Sequence, residues 1–205
     1  VPIGANQGLY QGRHITYTVG VQLMNLEATP ATIELTAYAA NGEVAGAGSY
    51  QAPANQMLTL FPISAVATGF SGSLVLTSNQ NSVAIANLMS SDFSGGASYV
   101  SRSQGATTVY LPLLTSSCSG DATWFSVQNT GTAEAPVQVA YSDGITATAT
   151  IKAGAAHTFY QRNEGHQCKV FAGTVTSTQP VAATVIHEAQ QVLFAYNGFT
   201  AAGTT

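Results

Sequence analysis

The residues of this sequence that could carry metal chemistry are its histidines, cysteines and acidic residues. His157 falls inside a strand pattern, and His187 precedes Glu188 at the end of another. His166 stands two positions before Cys168. A zinc-type site needs three or four such ligands that converge on one point. None of these residues has a recognised ligand spacing, so the sequence predicts no metal site and no cofactor.

Nucleophilic and acid–base catalysis are the next chemistries to weigh. The run Cys118-Ser119-Gly120-Asp121 resembles a serine-protease loop only superficially, because the order of its residues is wrong and a nucleophile needs a base and an orienting acid. Glycoside hydrolysis needs paired carboxylates. Only Glu34 and Glu188 fall on strand patterns, and they lie in different halves of the chain. We therefore predict that the protein is not an enzyme.

The composition limits the classes of partner. The 205 residues are 45% apolar but only 7% charged, with a formal net charge of −4, whereas about 25% of residues are charged in ordinary soluble domains. So few lysines and arginines argue against nucleic-acid binding. No apolar run approaches the roughly 20 residues of a membrane span. A surface with so little charge repels other copies of the chain weakly and favours self-association.

The two cysteines bear on the compartment. Cys118 and Cys168 could form one bridge that closes a loop of about 50 residues and stabilises the fold by roughly 2–4 kcal/mol. The alternative is a pair of buried free thiols. The sequence shows no leader segment and begins with Val1, which we interpret as a mature secreted chain, extracellular or at the cell surface. Such a compartment favours the disulfide.

Alternation of apolar and polar residues predicts an all-β protein. The run Ile15-Thr16-Tyr17-Thr18-Val19 shows this period of two. Asn41-Gly42 predicts a hairpin, because both central positions of a type I′ turn need a positive φ angle. Each half has about seven short strands with turn signals roughly every 8–12 residues, which is typical of immunoglobulin-like sandwiches. We predict two tandem immunoglobulin-like β-sandwich domains.

The second half of the sequence repeats the first at an offset of roughly 97–104 residues, which indicates a duplicated domain. Residues 124–129 match 20–25, and residues 196–205 align with 99–108 without gaps. We place the two domains at 1–107 and 108–205. The aromatic residues of the second half, Trp124 foremost, are predicted to be core residues of that domain rather than a sugar-stacking platform.

The seam between the halves, residues 105–114, has no Pro/Gly/Ser linker. Its apolar residues are predicted to form a buried connector strand that is shared by the two domains or packed between them: Val109, Tyr110, Leu111, Pro112 and Leu113. Both chain ends resemble this seam. Val1-Pro2-Ile3 resembles Leu111-Pro112-Leu113, and Ala202-Gly203-Thr204-Thr205 repeats Ala106-Thr107-Thr108. We expect a stiff rod rather than two domains on a flexible tether.

Several of these stretches carry a family resemblance: residues 72–80, their copy at 173–180, residues 196–199 and residues 108–113. They resemble the tandem surface repeats of Chloroflexi-type bacteria, which are secreted proteins of β-sandwich modules joined through a strand similar to Thr-Thr-Val-Tyr-Leu-Pro-Leu. The resemblance covers most of both halves. It is weaker over residues 1–20 and departs at Asn81, where the copy has Pro180. It implies an exported, surface-associated structural protein and carries over no catalytic residues.

These observations predict a secreted structural subunit that polymerises head-to-tail with other copies of itself into an extracellular filament or surface layer. An open sandwich edge can accept a strand from another chain, and heterologous contacts that do not close give filaments. The N-terminal arm, residues 1–10, is the predicted donor strand. The predicted residues of the subunit joint are Val1, Pro2, Ile3, Leu9, Tyr10, Tyr196, Phe199, Thr204 and Thr205.

Other interpretations stay open at this point. Val1-Pro2-Ile3 could be the first strand of its own domain, with nothing exchanged. The protein could be an adhesin or a carbohydrate-binding module that holds surface glycans through turn residues around Asn41, Asn79 and Thr178, or a shell protein that forms closed particles. An exposed aromatic cluster on one face would favour the binding module, and buried aromatic residues would favour the structural subunit.

Overall fold

A computed structural model of the chain describes residues 2–3, 8–10, 13–91, 93–116, 121–189 and 192–201, and only the backbone of those before Thr16. The predicted all-β class is confirmed, because the described residues form antiparallel sheets and no α-helix. Within these residues, no helix is long and apolar enough to cross a membrane.

The first half of the chain contributes two four-stranded sheets and a short ribbon. Its strands are β1 (Pro2–Ile3), β2 (Gly8–Tyr10), β3 (Arg13–Ile15), β4 (Tyr17–Asn25), β5 (Ala31–Ala39), β6 (Val44–Ala52), β7 (Met57–Leu60), β8 (Gly72–Ser78), β9 (Ser82–Ser90) and β10 (Gly96–Val100). One sheet has the order β1-β8-β5-β6, the other has the order β10-β9-β4-β7, and β2 pairs with β3. Apolar side chains of the two sheets, such as Leu23 and Ile33, lie together in a buried cluster between them.

The second half forms one seven-stranded sheet. Its strands are β11 (Ala106–Thr115), β12 (Ala122–Asn129), β13 (Ala135–Tyr141), β14 (Thr146–Ile151), β15 (Ala156–Tyr160), β16 (Val170–Glu188) and β17 (Leu193–Asn197), with one turn of 3-10 helix at Gln161–Asn163. The long strand β16 pairs with β11 and β13 through its first part and with β12 and β17 through its second. The first part of β16 thus belongs to one group of strands and the second part to another. Both groups pack around one core, in which Phe125, Val139 and Val175 are fully buried.

The predicted repeat is visible in the backbone and in its buried polar contacts. Gly42 and Gly144 both have a positive φ angle, +84° and +93°, at the matching hairpin turns. At the end of β4, Asn25 donates to the carbonyls of Thr29 and Ala52. At the end of β12, Asn129 donates to the carbonyls of Ala133 and Ile151 and accepts from the N–H of Gly131. Each asparagine thus fixes the same turn of its half.

Trp124 does not lie in the core of the second half, contrary to prediction. Successive residues of β12 point to opposite faces, so that Phe125 enters the second-half core while Trp124 points to the other side. Trp124, Ile186 and Leu193 instead join a buried cluster of first-half residues such as Leu35 and Leu88. The second half therefore closes one side of the first half, and β12 is buried on both of its faces.

Replacement of Asn129 by alanine should destabilise the protein, because its buried amide satisfies three backbone groups of the turn. We expect the free energy of unfolding in urea to fall by about 3 kcal/mol, since unsatisfied buried groups cost roughly 1–3 kcal/mol each and two of the three can reach water. Gln138→Ala, an exposed position on β13, is the control and should change it by less than about 0.5 kcal/mol. Equal effects of the two variants would contradict this role.

Candidate functional site

One edge of β8 is largely without a partner strand. β8 pairs along its length with β5, but on its other side β1 covers only Gly72 and Ser73. Among the described residues, no strand pairs with Val75–Ser78 on that side. Such an edge presents N–H and C=O groups that can pair with a strand of another chain.

The matching edge of the second half is covered. Gly72 of β8 pairs with the last residue of β5, Ala39, and Gly173 of β16 pairs with the last residue of β13, Tyr141. Counting onward from these two glycines makes Val75 the counterpart of Thr176. Thr176 pairs with Gln138 on one side and with Thr108 of β11 on the other. The seam strand therefore occupies in the second half the position that none of the described strands fills beside Val75.

A groove of about 780 Å³ runs along the uncovered edge. Its walls are residues 74–78 of β8, residues 82–84 of β9, residues 101–103 before the seam, and residues 128–132 of the second half. Most of its lining side chains are small or hydroxyl-bearing. Arg102 supplies the one charged side chain of the lining, and its guanidinium donates to the carbonyl of Gly198.

The register of β1 corrects one sequence comparison. Pro2 pairs with Ser73 and Ile3 with Gly72, whereas Tyr110 pairs with Thr174 and Leu111 with Gly173. Pro2-Ile3 is therefore the counterpart of Tyr110-Leu111, two positions earlier than the predicted match to Pro112-Leu113. β1 lies beside its own chain's β8, as the interpretation without strand exchange expects.

The other predicted joint residues are placed as follows. Leu9 and Tyr10 belong to β2, which pairs with β3. Tyr196 lies on β17, and its hydroxyl donates to the carbonyl of Leu113 over 2.7 Å. Phe199 exchanges two backbone hydrogen bonds with Tyr110. Val1, Thr204 and Thr205 lie outside the described residues.

The predicted connector is an edge strand of the second half rather than a strand between the halves. Val109 and Leu111 are fully buried in the second-half core, because alternate residues of β11 face inward. Tyr110 and Pro112 point outward and are exposed, and Leu113 is partly buried.

A buried carboxylate lies at the junction of the two halves, and sequence inspection gave it no role beyond its place on a strand. Glu188 is fully buried. One oxygen accepts from the Tyr17 hydroxyl of the first half at 2.7 Å and from the Trp124 indole N–H at 2.8 Å. The other accepts from the Arg162 guanidinium at 2.7 Å. The pairing of a buried acid with an arginine and two neutral donors gives no free acid or base, so the arrangement is a structural clamp.

A cavity of about 190 Å³ lies beside this clamp. Trp124, Tyr160, Tyr99 and Leu88 form its apolar wall, and the hydroxyls of Ser126 and Thr158, which bond each other at 2.7 Å, form part of its polar wall. Burial raises the pKa of the Tyr99 phenol. The cavity is a gap between the halves rather than an open aromatic platform.

A second polar cluster holds the segment after β15. His166 is enclosed by its neighbours, with Nδ1 at 2.8 Å from Asp143 Oδ2 and Nε2 at 3.6 Å from Glu164 Oε2. Its ring stacks on Phe171 with centroids 4.1 Å apart. The Tyr141 hydroxyl donates to Glu164, and burial above all raises the pKa of both groups.

This cluster pairs an acid with a histidine, as catalytic triads do, but none of the residues that the structure describes supplies the nucleophile of a triad. His166 Nε2 has no hydrogen-bond partner in the described part of the chain, whereas a triad places a hydroxyl or thiol there. In the same residues, no group of three or more His, Cys, Asp or Glu side chains is arranged to hold a metal ion. The cluster therefore anchors the loop over the β13–β14 hairpin.

The predicted bridge partner Cys118 lies outside the described residues, so the Cys118–Cys168 disulfide stays a prediction. The flanking segments are adjacent. The Ser116 hydroxyl donates to the carbonyl of Gln167 at 2.8 Å and accepts from the N–H of Lys169 at 3.2 Å. The two contacts bring position 116 next to the segment that contains Cys168.

Comparison with known proteins does not assign the chain to a family. No known family and no curated protein matches the chain. Among solved structures, the chain is similar to the crystal structure of Thermotoga maritima 1070, with 17% identity, a TM-score of 0.42, and coverage of 49% of this chain and 98% of that one. It is also similar to the Anabaena sensory rhodopsin transducer, with 17% identity, a TM-score of 0.34, and coverage of 42% and 91%. Similarities this low carry no functional argument.

Removal of the arginine of the clamp should destabilise the junction. Arg162→Met leaves the buried Glu188 carboxylate without its counter-charge, and we expect a loss of about 2 kcal/mol in the free energy of unfolding, below the 3–5 kcal/mol of a fully buried pair because Arg162 is partly exposed. Adding Glu188→Gln should recover part of this loss. Glu134→Gln, which removes an exposed charge, is the control. No recovery in the double variant would contradict the charge argument.

The Asp143–His166 pair should make the free energy of unfolding depend on pH in the acidic range. Burial opposes ionisation of Asp143, but the hydrogen bonds from His166 and the Ile145 N–H and the nearby charges outweigh it, so that its pKa lies below the usual 3.8. A carboxylate with a lowered folded-state pKa stabilises the fold above its unfolded pKa, and this contribution is lost as pH falls through the folded pKa.

Asp143→Asn should therefore lower the free energy of unfolding at neutral pH, and the difference from the parent should shrink between about pH 4 and pH 2. Urea titrations at several pH values measure it, with Glu134→Gln, an exposed acid, as the control. A difference that is constant over this range would contradict the ion-pair role.

Proposed function

We propose that the protein is a secreted structural subunit, built from two immunoglobulin-like sandwiches, that polymerises head-to-tail into an extracellular filament or surface layer. In this proposal, the segment 200–205 of one copy enters the groove beside β8 of the next copy and pairs with Val75–Ser78. The observation that carries the proposal is the uncovered β8 edge, whose counterpart beside β16 is filled by β11.

The sequence of this segment fits the position. Residues 196–205 align with 99–108, so Thr204-Thr205 correspond to Thr107-Thr108 at the start of β11. Thr108 pairs with Thr176, the counterpart of Val75, and Thr205 would take that place beside Val75. The donor here is the C-terminal segment, and β1 stays paired within its own chain.

The joint would then repeat the connection that already exists inside the chain. Residues 102–108 lead from the end of the first half into the β11 position of the second half. Residues 199–205 would lead in the same way from the second half into the first half of the next copy. A contact between two different surfaces that does not close on itself generates an open filament.

The glycan-binding alternative gains less support from the described residues. Five aromatic residues of the second half are buried: Trp124, Phe125, Tyr141, Phe159 and Phe171. The Asn41-Gly42 turn also lies at the junction, because a Cβ atom on Gly42 would come within 2.6 Å of Lys152 Cβ. Buried aromatic residues favour the structural subunit by the criterion set above.

The test compares three forms of the protein by negative-stain electron microscopy and light scattering: the full chain, a form without residues 202–205, and a form without residues 1–10. We expect filaments from the full chain and none from the form without residues 202–205. A peptide of residues 199–205 should shorten the filaments of the full chain, and a peptide of the same composition in scrambled order should not.

The other outcomes decide against parts of the proposal. Filaments from the form without residues 202–205 would overturn donation by this segment. If that form assembles and only the form without residues 1–10 fails, the N-terminal arm is the donor. Dispersed monomers of the full chain at high concentration would overturn polymerisation itself.

A further inference from the structure

The outer surface of the β10-β9-β4-β7 sheet is apolar and exposed. We call it the Met face. Its apolar members are Met24, Met57, Phe61, Val83, Ile85, Met89 and Val100, of which Met57 is 61% exposed and Phe61 60%. They include all three methionines of the chain. Exposed apolar side chains gathered on one sheet face mark an interaction site.

Strand register shows that these side chains are neighbours. Val83 pairs with Met24, and Met24 with Met57, across three adjacent strands. Ile85 pairs with Val100. The polar residues of the face are bonded to each other, since Asn87 donates to Gln22. The four strands contain no Asp, Glu, Lys, Arg or His.

The internal repeat provides a covered counterpart of this face. Asn25 and Asn129 end β4 and β12 in the same way, so Gln22 corresponds to Ser126 and Gly20 to Trp124. Register relates the neighbouring strands in the same way. Val21 pairs with Leu60, which puts Phe61 beside Gly20, and Trp124 pairs with Tyr160. The counterpart face of the second half is buried, with Trp124 at 6% exposure.

The cover of that counterpart face is the first half of the chain. Trp124 and Ile186 lie in one buried cluster with Leu88 and Tyr99 of the first half. Gln128 Nε2 lies 3.4 Å from the carbonyl of Leu74 on β8. Within the chain, this sheet face of one half therefore rests on the half that precedes it.

We infer that the Met face docks on the second half of a neighbouring copy, the same copy that donates its 200–205 segment. The inference rests on the proposed function, because it assumes that the contact between copies repeats the contact between the two halves of one chain. Inside the chain, the segment that leaves the first half continues into β11 of the second half, and the face containing Trp124 covers the first half. Between copies, the second half supplies the segment, and the Met face covers that second half.

Two features indicate that the partner of the Met face is a second copy of the chain: the absence of charge on the face and the residues that lie near the donor segment. A face without charged residues fits a partner surface that is also neutral, and the chain itself is only 7% charged. Tyr110 and Phe199, which bond to each other by their backbones at the start of the donor segment, are 47% and 50% exposed. Methionine side chains adapt to irregular surfaces and make favourable contacts with aromatic rings.

The test places a charge on the face while leaving the groove intact. Ile85→Lys is the main variant, and Met57→Lys, on the edge strand β7 of the same sheet, is the second, so that one misfolded variant does not decide the result. Thr148→Lys, on the exposed side of β14, is the matched control. We expect the critical concentration for filament formation to rise at least about 30-fold for the two face variants and to stay within about twofold for the control.

Binding of a fluorescent peptide of residues 199–205 separates this inference from the proposed function. We expect both face variants to bind the peptide as the parent does. Face variants that assemble at the parent's concentration would overturn the Met-face contact and leave head-to-tail polymerisation standing. Failure of the parent chain to assemble would overturn the proposed function and, with it, this inference.

Discussion

The structure depends on how the backbone groups at its sheet edges are satisfied. In the second half, the 19-residue strand β16 serves two groups of strands, and β11 covers the edge of its first part. In the first half, β8 and β9 are separate strands, and β1 covers two residues of β8. An uncovered edge offers unpaired N–H and C=O groups to a further strand. The two halves therefore differ in one respect: this edge is covered by β11 in the second half and is mostly uncovered, among the described strands, in the first half.

The junction between the halves follows from a second constraint, the shortage of charge. Glu188 is fully buried and meets donors from Tyr17, Trp124 and Arg162. A buried ion pair adds little net stability over apolar residues of the same size. Its effect is geometric, because three donors from different elements must reach one carboxylate. The apolar contacts of Trp124, Ile186 and Leu193 with the first half supply the larger share of the free energy, while the carboxylate fixes the orientation in which they form.

Much of the architecture could be predicted from the sequence, and the failures have physical causes. Alternation gave the all-β class. The hairpin predicted at Asn41-Gly42 is present and has a counterpart at Asp143-Gly144. Its predicted type I′ turn is wrong, because only the glycine of each pair has a positive φ angle and a type I′ turn needs one at both central positions. Trp124 was placed on the wrong face, although it is in phase with the polar residues Ser126 and Gln128 rather than with Phe125. The strand pattern alone does not show that the other half of the chain covers this second face. The clamp at Glu188 and the cluster at His166 could not be predicted, since their members lie far apart in the sequence. The uncovered β8 edge is a property of pairing, which no single strand pattern encodes.

The contrast between the two equivalent sheet faces links these constraints. On the covered face, Trp124 carries a polar atom that bonds to Glu188, as buried indoles require. On the uncovered face, methionine, valine and isoleucine side chains have no polar atoms that need a fixed partner, and the polar pair Asn87–Gln22 satisfies itself. A surface that only faced water would gain solubility from charged side chains, yet the four strands have none. The amides of Asn87 and Gln22 bond to each other within this face, and its apolar side chains are free to pack against another protein surface.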